Sequence, residues 1–271
     1  MYDIIASIVA FKNDKEVLKK TIDSFLSVDL KIHLYVLDNS PTDELKSACA
    51  CPQVEYIFTN NNLGFAAAHN MAIRKMMGRT KYSLILNPDV YFNKGELEKL
   101  FSFMEKHLGV GLSMPKVLYP DGSLQYLCRL LPNPYDVLLR KIEIKFLGPL
   151  LNPVKSRYEL KFADYNKQME VPCLSGCFMF VRTGVFEKIG VFDERYFMYF
   201  EDVDLSRRIH KHYRTVYYPE VTIYHGYARG SNKDITLFKQ LVSSGIKYFN
   251  KWGWFFDSER KAMNRKALLL L

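Results

Sequence analysis

Three carboxylates stand within four residues of one another in the segment Glu201-Asp202-Val203-Asp204. The segment follows a run rich in Tyr, Phe and Met, and it overlaps the start of a predicted helix over residues 203–212. Negative charges suit the N-terminal end of a helix dipole, so capping alone explains one or two of these acids. Three acids beside an aromatic run indicate a lined pocket, in which a carboxylate can take a proton from a hydroxyl group.

Polar turns follow three apolar runs in the first ninety residues. They are Asp38-Asn39-Ser40, residues 60–64 and Asn87-Pro88-Asp89. Ligands of parallel α/β sheets bind beyond the carboxyl ends of the strands, so we expect all three turns to line one crevice. An Asx turn or a helix cap is the alternative for Asp38, and a plain turn at a strand end is the alternative for Asn87-Pro88-Asp89.

The segment Asn62-Leu63-Gly64-Phe65-Ala66 begins a predicted helix over residues 65–77 and contains several small side chains. Small residues let a backbone approach a ligand closely, and the N–H groups at a helix start favour phosphate. Tight packing of the helix on the sheet is the alternative interpretation.

Alternating strand and helix patterns position these turns. Apolar runs predict strands over residues 4–11, 32–37, 54–59 and 82–86, with helices over 15–27, 43–49 and 65–77 between them. This order predicts crossover connections and a mostly parallel α/β sheet. The later elements are a strand and turn over 117–124, an irregular loop or insert over 128–165, a buried strand over 173–181, a short helix over 183–189, strands over 215–218 and 221–225, and a helical tail.

Composition and charge bound the function classes. The 271 residues are 48% hydrophobic and 25% charged, which excludes wholesale disorder, collagen and coiled coil. The net charge of +9 suggests an anionic partner. Residues 140–161 and 246–266 each hold six cations and two anions, so these two stretches carry eight of the nine surplus charges. Nucleic acid is disfavoured as a partner because no recognised nucleic-acid module accompanies the charge.

Several other classes are disfavoured. No apolar run reaches the roughly 18–20 residues of a membrane-spanning helix, and the first residues lack the features of a signal peptide. Five cysteines without zinc-ligand spacing predict free thiols in a reducing cytosol. The segment Phe11-Lys12-Asn13-Asp14 has no glycine, which argues against a nucleotide-binding dehydrogenase.

Taken together, the motifs over residues 4–230 resemble those of the family 2 inverting glycosyltransferases. Within that family the sequence is most similar to bacterial rhamnosyltransferases of O-antigen or cell-wall polysaccharide synthesis. The motifs that carry the resemblance are Leu37-Asp38-Asn39-Ser40, Asn62-Leu63-Gly64-Phe65-Ala66 with Asn70, Leu86-Asn87-Pro88-Asp89, and Ser175-Gly176 followed by Phe192-Asp193, residues 199–204 and His225.

The resemblance implies a GT-A fold, which is a Rossmann-like sheet with flanking helices, and a set of substrate-binding residues. Asp38 would bind the base or ribose of a nucleotide-sugar, and Asn70 would lie near the ribose or sugar. The full set implied for the nucleotide-sugar is Ala10, Asp38, Asn39, Asn62, Gly64, Phe65, Asn70, Asn87, Asp89 and Arg229, with Ser231 a further candidate at the diphosphate.

The resemblance also implies the roles of the acids and of one histidine. Asn87-Pro88-Asp89 stands where the family has an Asp-x-Asp metal motif, so Asp89 and His225 become candidate ligands of Mg²⁺ or Mn²⁺. Asn87 replaces the first aspartate of that motif in this sequence, which puts tight metal binding in doubt. Asp202 would be the general base and Glu201 would orient the acceptor or the base. Asp204 is expected to stabilise its helix by pairing with Arg208 at i,i+4.

The implied reaction is transfer of L-rhamnose from dTDP-L-rhamnose to a glycan on a polyprenyl diphosphate. Two alternatives stay open: another donor (a UDP- or GDP-hexose, or galactofuranose), or a non-catalytic assembly protein that binds nucleotide-sugars. We expect residues 1–235 to form the catalytic domain, with a nucleotide-sugar half over 1–110 and an acceptor half over 111–235.

The tail over residues 236–271 combines cations with aromatic residues, including both tryptophans of the chain. Its residues 246–266 are a candidate surface for anionic lipid, with packing on the core or an oligomer contact as alternatives. The protein is therefore expected to be cytoplasmic and peripheral at the inner face of a bacterial cell membrane.

Overall fold

A mixed β-sheet lies at the centre of the molecule, which a computed structural model describes for residues 1–141, 148–226 and 235–271. The strands are β1 (Tyr2–Ala10), β2 (Ile32–Asp38), β3 (Val54–Phe58), β4 (Thr80–Leu86), β5 (Val90–Phe92), β6 (Val110–Leu118), β7 (Cys128–Arg129), β8 (Met169–Glu170), β9 (Cys173–Leu174), β10 (Phe178–Arg182) and β11 (Arg214–His225). Their order in the sheet is β3-β2-β1-β4-β10-β6-β11-β5, with β8 paired to β11 and with β7 and β9 in a separate ladder.

The N-terminal half consists of parallel strands joined by helices. β1 pairs in parallel with β2 and β4, and β2 pairs in parallel with β3. The side chains of β1, β2 and β4 are almost all buried, which is typical of parallel strands covered on both faces. The connections are α1 (Lys15–Leu26), a 3₁₀ helix (Glu44–Cys49) and α2 (Gly64–Met76). The predicted α/β class and the elements of this half are confirmed.

β10 inserts between β4 and β6 and runs antiparallel to both. The prediction of one buried strand over residues 173–181 is wrong, because the chain turns at Ser175-Gly176-Cys177 between β9 and β10. β11 is a single strand with an irregularity between Tyr218 and Thr222, where we predicted two strands.

The prediction of an irregular segment over residues 128–165 is wrong for the part that the structure describes. That part contains β7, α4 (Pro134–Lys141), α5 (Gly148–Tyr158) and the first residues of a turn. Asn133 Oδ1 accepts the N–H groups of Tyr135 and Asp136 at 2.8 and 3.1 Å, and Pro134 occupies the first helical position. The asparagine and proline are therefore a helix start rather than an irregular loop.

Three further helices lie outside the tail of residues 236–271. They are α3 (Glu96–Lys106), which the sequence patterns did not predict, α6 (Gly184–Ile189) and α7 (Glu201–His210). α7 begins two residues before the predicted helix, so Glu201 and Asp202 lie within its first turn.

The helical tail is confirmed as α8 (Ile235–Trp252) and α9 (Ser258–Leu270). Tyr248 and Phe249 of α8 pack in a buried cluster with Tyr196 and Phe200. Arg207 of α7 forms a buried two-point ion pair with Asp257 at 2.7 and 2.8 Å, just before α9. Within the described residues, no helix is both long enough and apolar enough to span a lipid bilayer.

Candidate active site

The carboxyl ends of β1, β2 and β4 meet at one edge of the sheet, and the turns that follow β2 and β4 lie there. Ala10 pairs with Asp38, and the Ala10 carbonyl accepts the Asn39 N–H at 2.8 Å. At the end of β4, Leu86 pairs with Phe178, the first residue of β10. The turn that precedes β10 therefore lies at this edge as well.

Asp38 and Asn39 are buried at this edge, and the protein itself binds their polar atoms. Asp38 accepts the Ser40 N–H at 2.9 Å on Oδ1 and the Tyr56 hydroxyl at 2.7 Å on Oδ2. Burial, together with the Asp38 carboxylate, raises the pKa of the Tyr56 hydroxyl. Asn39 Nδ2 donates to the Gly64 carbonyl at 3.3 Å. These contacts fix the turn after β2 against the start of α2.

The start of α2 is covered by the loop that precedes α7. Gly64 has a φ of +79°, and a Cβ at this position would lie 2.3 Å from the Phe197 carbonyl oxygen. The Phe65 N–H donates to the same carbonyl at 2.9 Å, and Asn62 Oδ1 accepts the Gly64 N–H at 3.1 Å. The glycine is therefore required by a close approach within the protein, and the Phe65 N–H is already bonded to Phe197.

Asn70 joins α2 to the same loop. Its buried side chain donates from Nδ2 to the Phe192 carbonyl and to Glu194 Oε1, both at 2.9 Å, and its Oδ1 accepts the Phe192 N–H at 3.0 Å. The structure thus brings Asn70 to the loop that leads into α7. Its predicted contact with a ribose or sugar stays a prediction.

His69, beside Asn70, is a core residue. Its Nδ1 is hydrogen-bonded to the Ser7 hydroxyl, and its ring packs against those of Phe65 and Phe192. Nε2 is buried and has no hydrogen-bond partner among the described residues. Burial lowers the pKa of His69 to about 3, so the imidazole is neutral at physiological pH.

Asp89 and His225 lie side by side, the first beyond β4 and the second at the end of β11. Asp89 Oδ1 is 3.4 Å from His225 Nε2, and Asn87 Nδ2 is 3.3 Å from the same nitrogen. Burial disfavours the charged imidazole, but the neighbouring Cys177 thiol and Asp89 carboxylate more than offset it and raise the pKa of His225 to about 10. The structure therefore brings together the two residues predicted for the metal, Asp89 and His225, and Asn87, a residue predicted for the nucleotide-sugar.

Gln125 orients His225, and the sequence patterns missed it. Its Oε1 is 3.0 Å from His225 Nδ1, and its Nε2 donates to the His225 carbonyl at 2.7 Å. The two residues are 100 positions apart, so no local pattern connects them. By occupying Nδ1, Gln125 leaves Nε2 facing Asp89.

The donor groups at this position fit a divalent cation that is shared with a substrate. Within the described residues, no cluster of three or more His, Cys, Asp or Glu side chains could hold a metal by itself. Mg²⁺ in sites of this kind takes one or two carboxylates and completes its shell with substrate phosphate and water. The Asp89 carboxylate, 24% exposed, and His225 Nε2, once a cation has displaced its proton, would supply such a partial set. Arg229 and Ser231, the predicted diphosphate contacts, lie outside the described residues.

Asp202 is held by two backbone N–H groups and is connected to the Asn87 turn. Gly176 N–H donates to Oδ2 at 2.9 Å, and Val203 N–H donates to Oδ1 at 2.8 Å. Cys177, which follows Gly176 in the chain, accepts the Asn87 N–H on its backbone carbonyl at 2.9 Å. One short turn therefore joins Asp202 to the turn that carries Asp89.

Glu201 is buried beside Asp202 at the end of a strained segment. Tyr199 and Phe200 both have a φ of 69°, a conformation that costs a non-glycine residue about 1–3 kcal/mol and that often occurs at functional sites. Glu201 Oε2 has no hydrogen-bond partner in the part of the chain that the structure describes. Burial, and then the nearby Asp202 charge, raise the pKa of Glu201 well above 4.5. A neutral Glu201 can donate a hydrogen bond to a ligand that lies next to Asp202.

Asp204, the third acid, has a structural role. Its fully buried carboxylate accepts Arg208 Nε at 2.8 Å on Oδ2, which confirms the predicted i,i+4 pair. Its Oδ1 accepts Trp252 Nε1 and Lys251 Nζ, each at 2.7 Å. The carboxylate therefore attaches α8 to α7.

Comparison with known proteins agrees with the geometry. The sequence model described as Glycosyl transferase family 2 matches residues 7–190. An N-acetylglucosaminyl-diphospho-decaprenol L-rhamnosyltransferase of Mycobacterium tuberculosis is 30% identical over 223 residues, which are 77% of this chain and 71% of that protein. Rhamnosyltransferase WbbL of Escherichia coli is 26% identical over 210 residues, 74% of this chain and 75% of that protein.

Solved structures share the fold. The structure of GalNAc-T7 with UDP, GalNAc and Mn²⁺ matches 84% of this chain with a TM-score of 0.61 and 12% sequence identity. The present chain spans only 43% of the length of that protein. At this level of identity the likeness concerns the fold alone, and the predicted GT-A fold is confirmed.

Proposed function

Because this chain belongs to glycosyltransferase family 2 and is therefore a glycosyltransferase, we propose that it transfers a sugar, with inversion, from a nucleotide-sugar to a lipid-linked glycan. One observation carries the proposal. The turn at Gly176-Cys177 bonds both to Asp202 and to Asn87, so a candidate base and a candidate diphosphate site share one edge of the sheet. A single displacement needs both groups.

Asp202 is the proposed general base. Its carboxylate would take the proton of the acceptor hydroxyl while that oxygen attacks the anomeric carbon from the face opposite the departing nucleotide. Two backbone N–H donors orient the carboxylate in the absence of substrate. The buried carboxyl of Glu201 would donate a hydrogen bond that orients the acceptor.

Asp89 and His225 are the residues that would hold Mg²⁺ or Mn²⁺, with Asn87 beside them. When bound, the cation neutralises the charge that develops on the leaving diphosphate. Gln125 keeps His225 in the orientation that this role requires. The Mn²⁺ in the GalNAc-T7 structure, which has the same fold, supports a divalent metal here.

The proposed donor is dTDP-L-rhamnose, and the proposed acceptor is a polyprenyl-diphosphate-linked glycan of bacterial surface polysaccharide. Both relatives described above are named as rhamnosyltransferases, and the mycobacterial name includes a diphospho-decaprenol acceptor. A UDP- or GDP-hexose, or a galactofuranose donor, is the alternative. The residues proposed to line the nucleotide-sugar are Ala10, Asp38, Asn39, Asn62, Gly64, Phe65 and Asn70, and Arg229 belongs to the same proposal.

The proposal is tested with Asp202→Asn, which keeps the size of the side chain and removes the base, although the amide can accept only one of the two backbone N–H groups. Transfer should fall by about 10²–10⁴-fold, while the dissociation constant of the donor stays within threefold of wild type. Asp23→Asn, a change on the exposed face of α1, is the matched control and should keep full activity. Wild-type turnover by Asp202→Asn would refute the assignment of the base.

The donor is identified by thermal shift with a panel of nucleotide-sugars and Mn²⁺. A ligand that binds only the folded state raises the melting temperature, so the true donor should give the largest increase. Rhamnose specificity is refuted if a UDP- or GDP-hexose stabilises the protein and dTDP-L-rhamnose does not.

We also propose that the tail docks on an anionic membrane surface. α8 exposes Ile235, Phe238, Val242 and Ile246, which are spaced by three or four residues and therefore lie on one face. The following loop exposes Phe256, 95% accessible, together with Phe255 and Trp254. Among residues 246–266, Arg260 is buried and Lys251 is paired with Asp204, so exposed cations such as Lys261 and Arg265 would supply the charge that binds anionic lipid.

The opposite face of α8 packs on the proposed catalytic domain of residues 1–235. Ser244 Oγ donates to the Met198 carbonyl at 2.8 Å, and Gly245 lies against the Phe200 ring. A tail of residues 236–271 held in this way would place the enzyme at the cytoplasmic face of the cell membrane. A polyprenyl-diphosphate acceptor is presented at that surface.

A further inference from the structure

Arg129 lies beside β9, the strand that leads into the turn at Ser175-Gly176-Cys177, although nothing in its local sequence marks it. It is the last residue of β7, and it pairs directly with Cys173 of the antiparallel strand β9. Directly opposed residues of antiparallel strands project their side chains to the same face. Cys173 packs in the cluster that contains Phe200 and Val203, the residues on either side of Glu201 and Asp202. Arg129 therefore faces the start of α7.

The charged groups around Arg129 support this placement. Burial disfavours its positive charge, but Tyr158, Cys173, Asp202 and Glu159 lie close enough to offset that penalty, and the pKa of Arg129 is raised. The guanidinium and the proposed base are thus within electrostatic range of each other.

Arg129 nevertheless has no bonded partner in the part of the chain that the structure describes. Its Nε is buried and has no hydrogen-bond acceptor within residues 1–141, 148–226 and 235–271, and no carboxylate in those ranges forms an ion pair with it. Other arginines of the core do have bonded partners, although the Nε of Arg207 also lacks one among the described residues. Arg207 binds Asp257 at two points, and Arg208 binds Asp204 and backbone carbonyls.

Asp202 does not need Arg129 for its orientation. Both of its carboxylate oxygens already accept a backbone N–H, from Gly176 and from Val203. A guanidinium whose Nε is buried without an acceptor is costly, and binding of an anion reduces that cost. The planar fork of an arginine suits a phosphate group in particular.

We propose that Arg129 binds a phosphate of the lipid-diphosphate acceptor and thereby sets the position of the acceptor sugar relative to Asp202. This inference rests on the proposed function. The hydroxyl that reacts must lie at Asp202, and the diphosphate of a sugar-diphosphate lipid begins one sugar ring away from it. The donor diphosphate, in contrast, belongs at Asp89, beyond β4, and at His225, the last residue of β11.

The test measures binding of farnesyl diphosphate by calorimetry in the presence of saturating dTDP and Mn²⁺, which occupy the donor site. Arg129→Met should weaken that binding by about 10–100-fold, as expected for loss of charge-assisted hydrogen bonds, and Arg129→Lys should weaken it less. Arg157→Met, an exposed arginine at the end of α5, is the matched control and should change it by less than threefold.

Two further readouts separate this role from others. Because Arg129 has no bonded partner among the described residues, Arg129→Met should melt at a temperature at least as high as wild type. A clear drop would indicate a structural role and overturn the proposal. Weaker binding of dTDP-L-rhamnose with unchanged binding of farnesyl diphosphate would also overturn it, because Arg129 would then serve the donor.

The proposed function can fail separately. In one outcome, Arg129→Met weakens binding of farnesyl diphosphate while wild type transfers no sugar to any diphosphate-linked acceptor. That result would support the Arg129 binding site and refute the proposed reaction. If farnesyl diphosphate binds wild type and Arg129→Met equally, the site is wrong whatever the reaction is.

Discussion

The backbone of Gly176 packs directly against the side chain of Asp202. Its N–H donates to Asp202 Oδ2 at 2.9 Å, and a Cβ on residue 176 would lie 3.0 Å from the Cβ of Asp202. A side chain at position 176 must therefore displace the proposed base or the turn that carries its donor. The turn before β10 thus holds the Asp202 carboxylate in its position.

Gly176→Ala should lower kcat by at least tenfold and leave the donor dissociation constant unchanged, because displacement of the carboxylate affects the reaction more than the nucleotide site. Steady-state kinetics with donor and acceptor varied in turn measure both quantities. Gly184→Ala is the matched control, since a Cβ there meets open space. Equal kcat values for the two variants would show that the contact does not position the base.

A chelator should abolish transfer, and added Mn²⁺ or Mg²⁺ should restore it. Asp89→Asn should raise the Mn²⁺ concentration for half-maximal activity by at least tenfold, because it removes the charged oxygen ligand beside His225. Asp121→Asn, on an exposed turn, is the control. Full activity in the chelator, with unchanged metal dependence of Asp89→Asn, would refute the assigned metal site.

Local patterns predict the parts of this site that are local. The turns after β2 and β4 follow from apolar runs that end in polar residues, and the Asp204–Arg208 pair follows from helical spacing. The contact of Gln125 with His225 spans 100 positions and leaves no such trace. The apolar run over residues 173–181 predicts one strand, but the structure has a turn within it at Ser175-Gly176-Cys177. That turn contacts Asp202, which is distant in sequence, so no local pattern indicates the break.

The start of α2 shows a further limit of sequence patterns. Small residues there predict close approach of the backbone to some partner, and close approach is what Gly64 makes possible. The partner in the structure is the Phe197 carbonyl of the protein itself, at 2.3 Å from the position of a Cβ. The pattern reports that space is needed, but it does not distinguish a ligand from a neighbouring loop.

Buried His69 makes the stability of the fold dependent on pH. Its pKa is lowered to about 3 in the folded protein, whereas an unfolded histidine has a pKa near 6.5, so between these values the unfolded state binds more protons. The stabilisation is complete above pH 6.5 and is lost as the pH falls toward 3. Relative to His69→Gln, wild type should lose about 2 kcal/mol of unfolding free energy between pH 8 and pH 5.

Urea unfolding at several pH values measures this effect. The comparison uses the change of unfolding free energy with pH in each protein, so the cavity or strain that the substitution introduces cancels. If the unfolding free energies of wild type and His69→Gln change equally with pH over this range, His69 is not buried in its neutral form.

Charge and apolar contacts should contribute separately to membrane docking by the tail. Lys261→Glu with Arg265→Glu reverses two exposed charges of α9, and should weaken binding to anionic vesicles by at least tenfold, since each cation near such a surface contributes about 1 kcal/mol. The difference from wild type should shrink as salt screens the charges. Phe238→Ser with Val242→Ser, on the exposed face of α8, should weaken binding at both low and high salt.

Flotation with vesicles of phosphatidylcholine, with and without phosphatidylglycerol, measures these effects. Phe162→Ser removes an exposed aromatic ring outside the tail and is the matched control. All variants should bind dTDP-L-rhamnose as wild type does, because neither helix face contributes to the candidate nucleotide site. If the charge and apolar variants float with anionic vesicles as wild type does, the tail is not the lipid-binding surface, and packing on the catalytic domain is its only supported role.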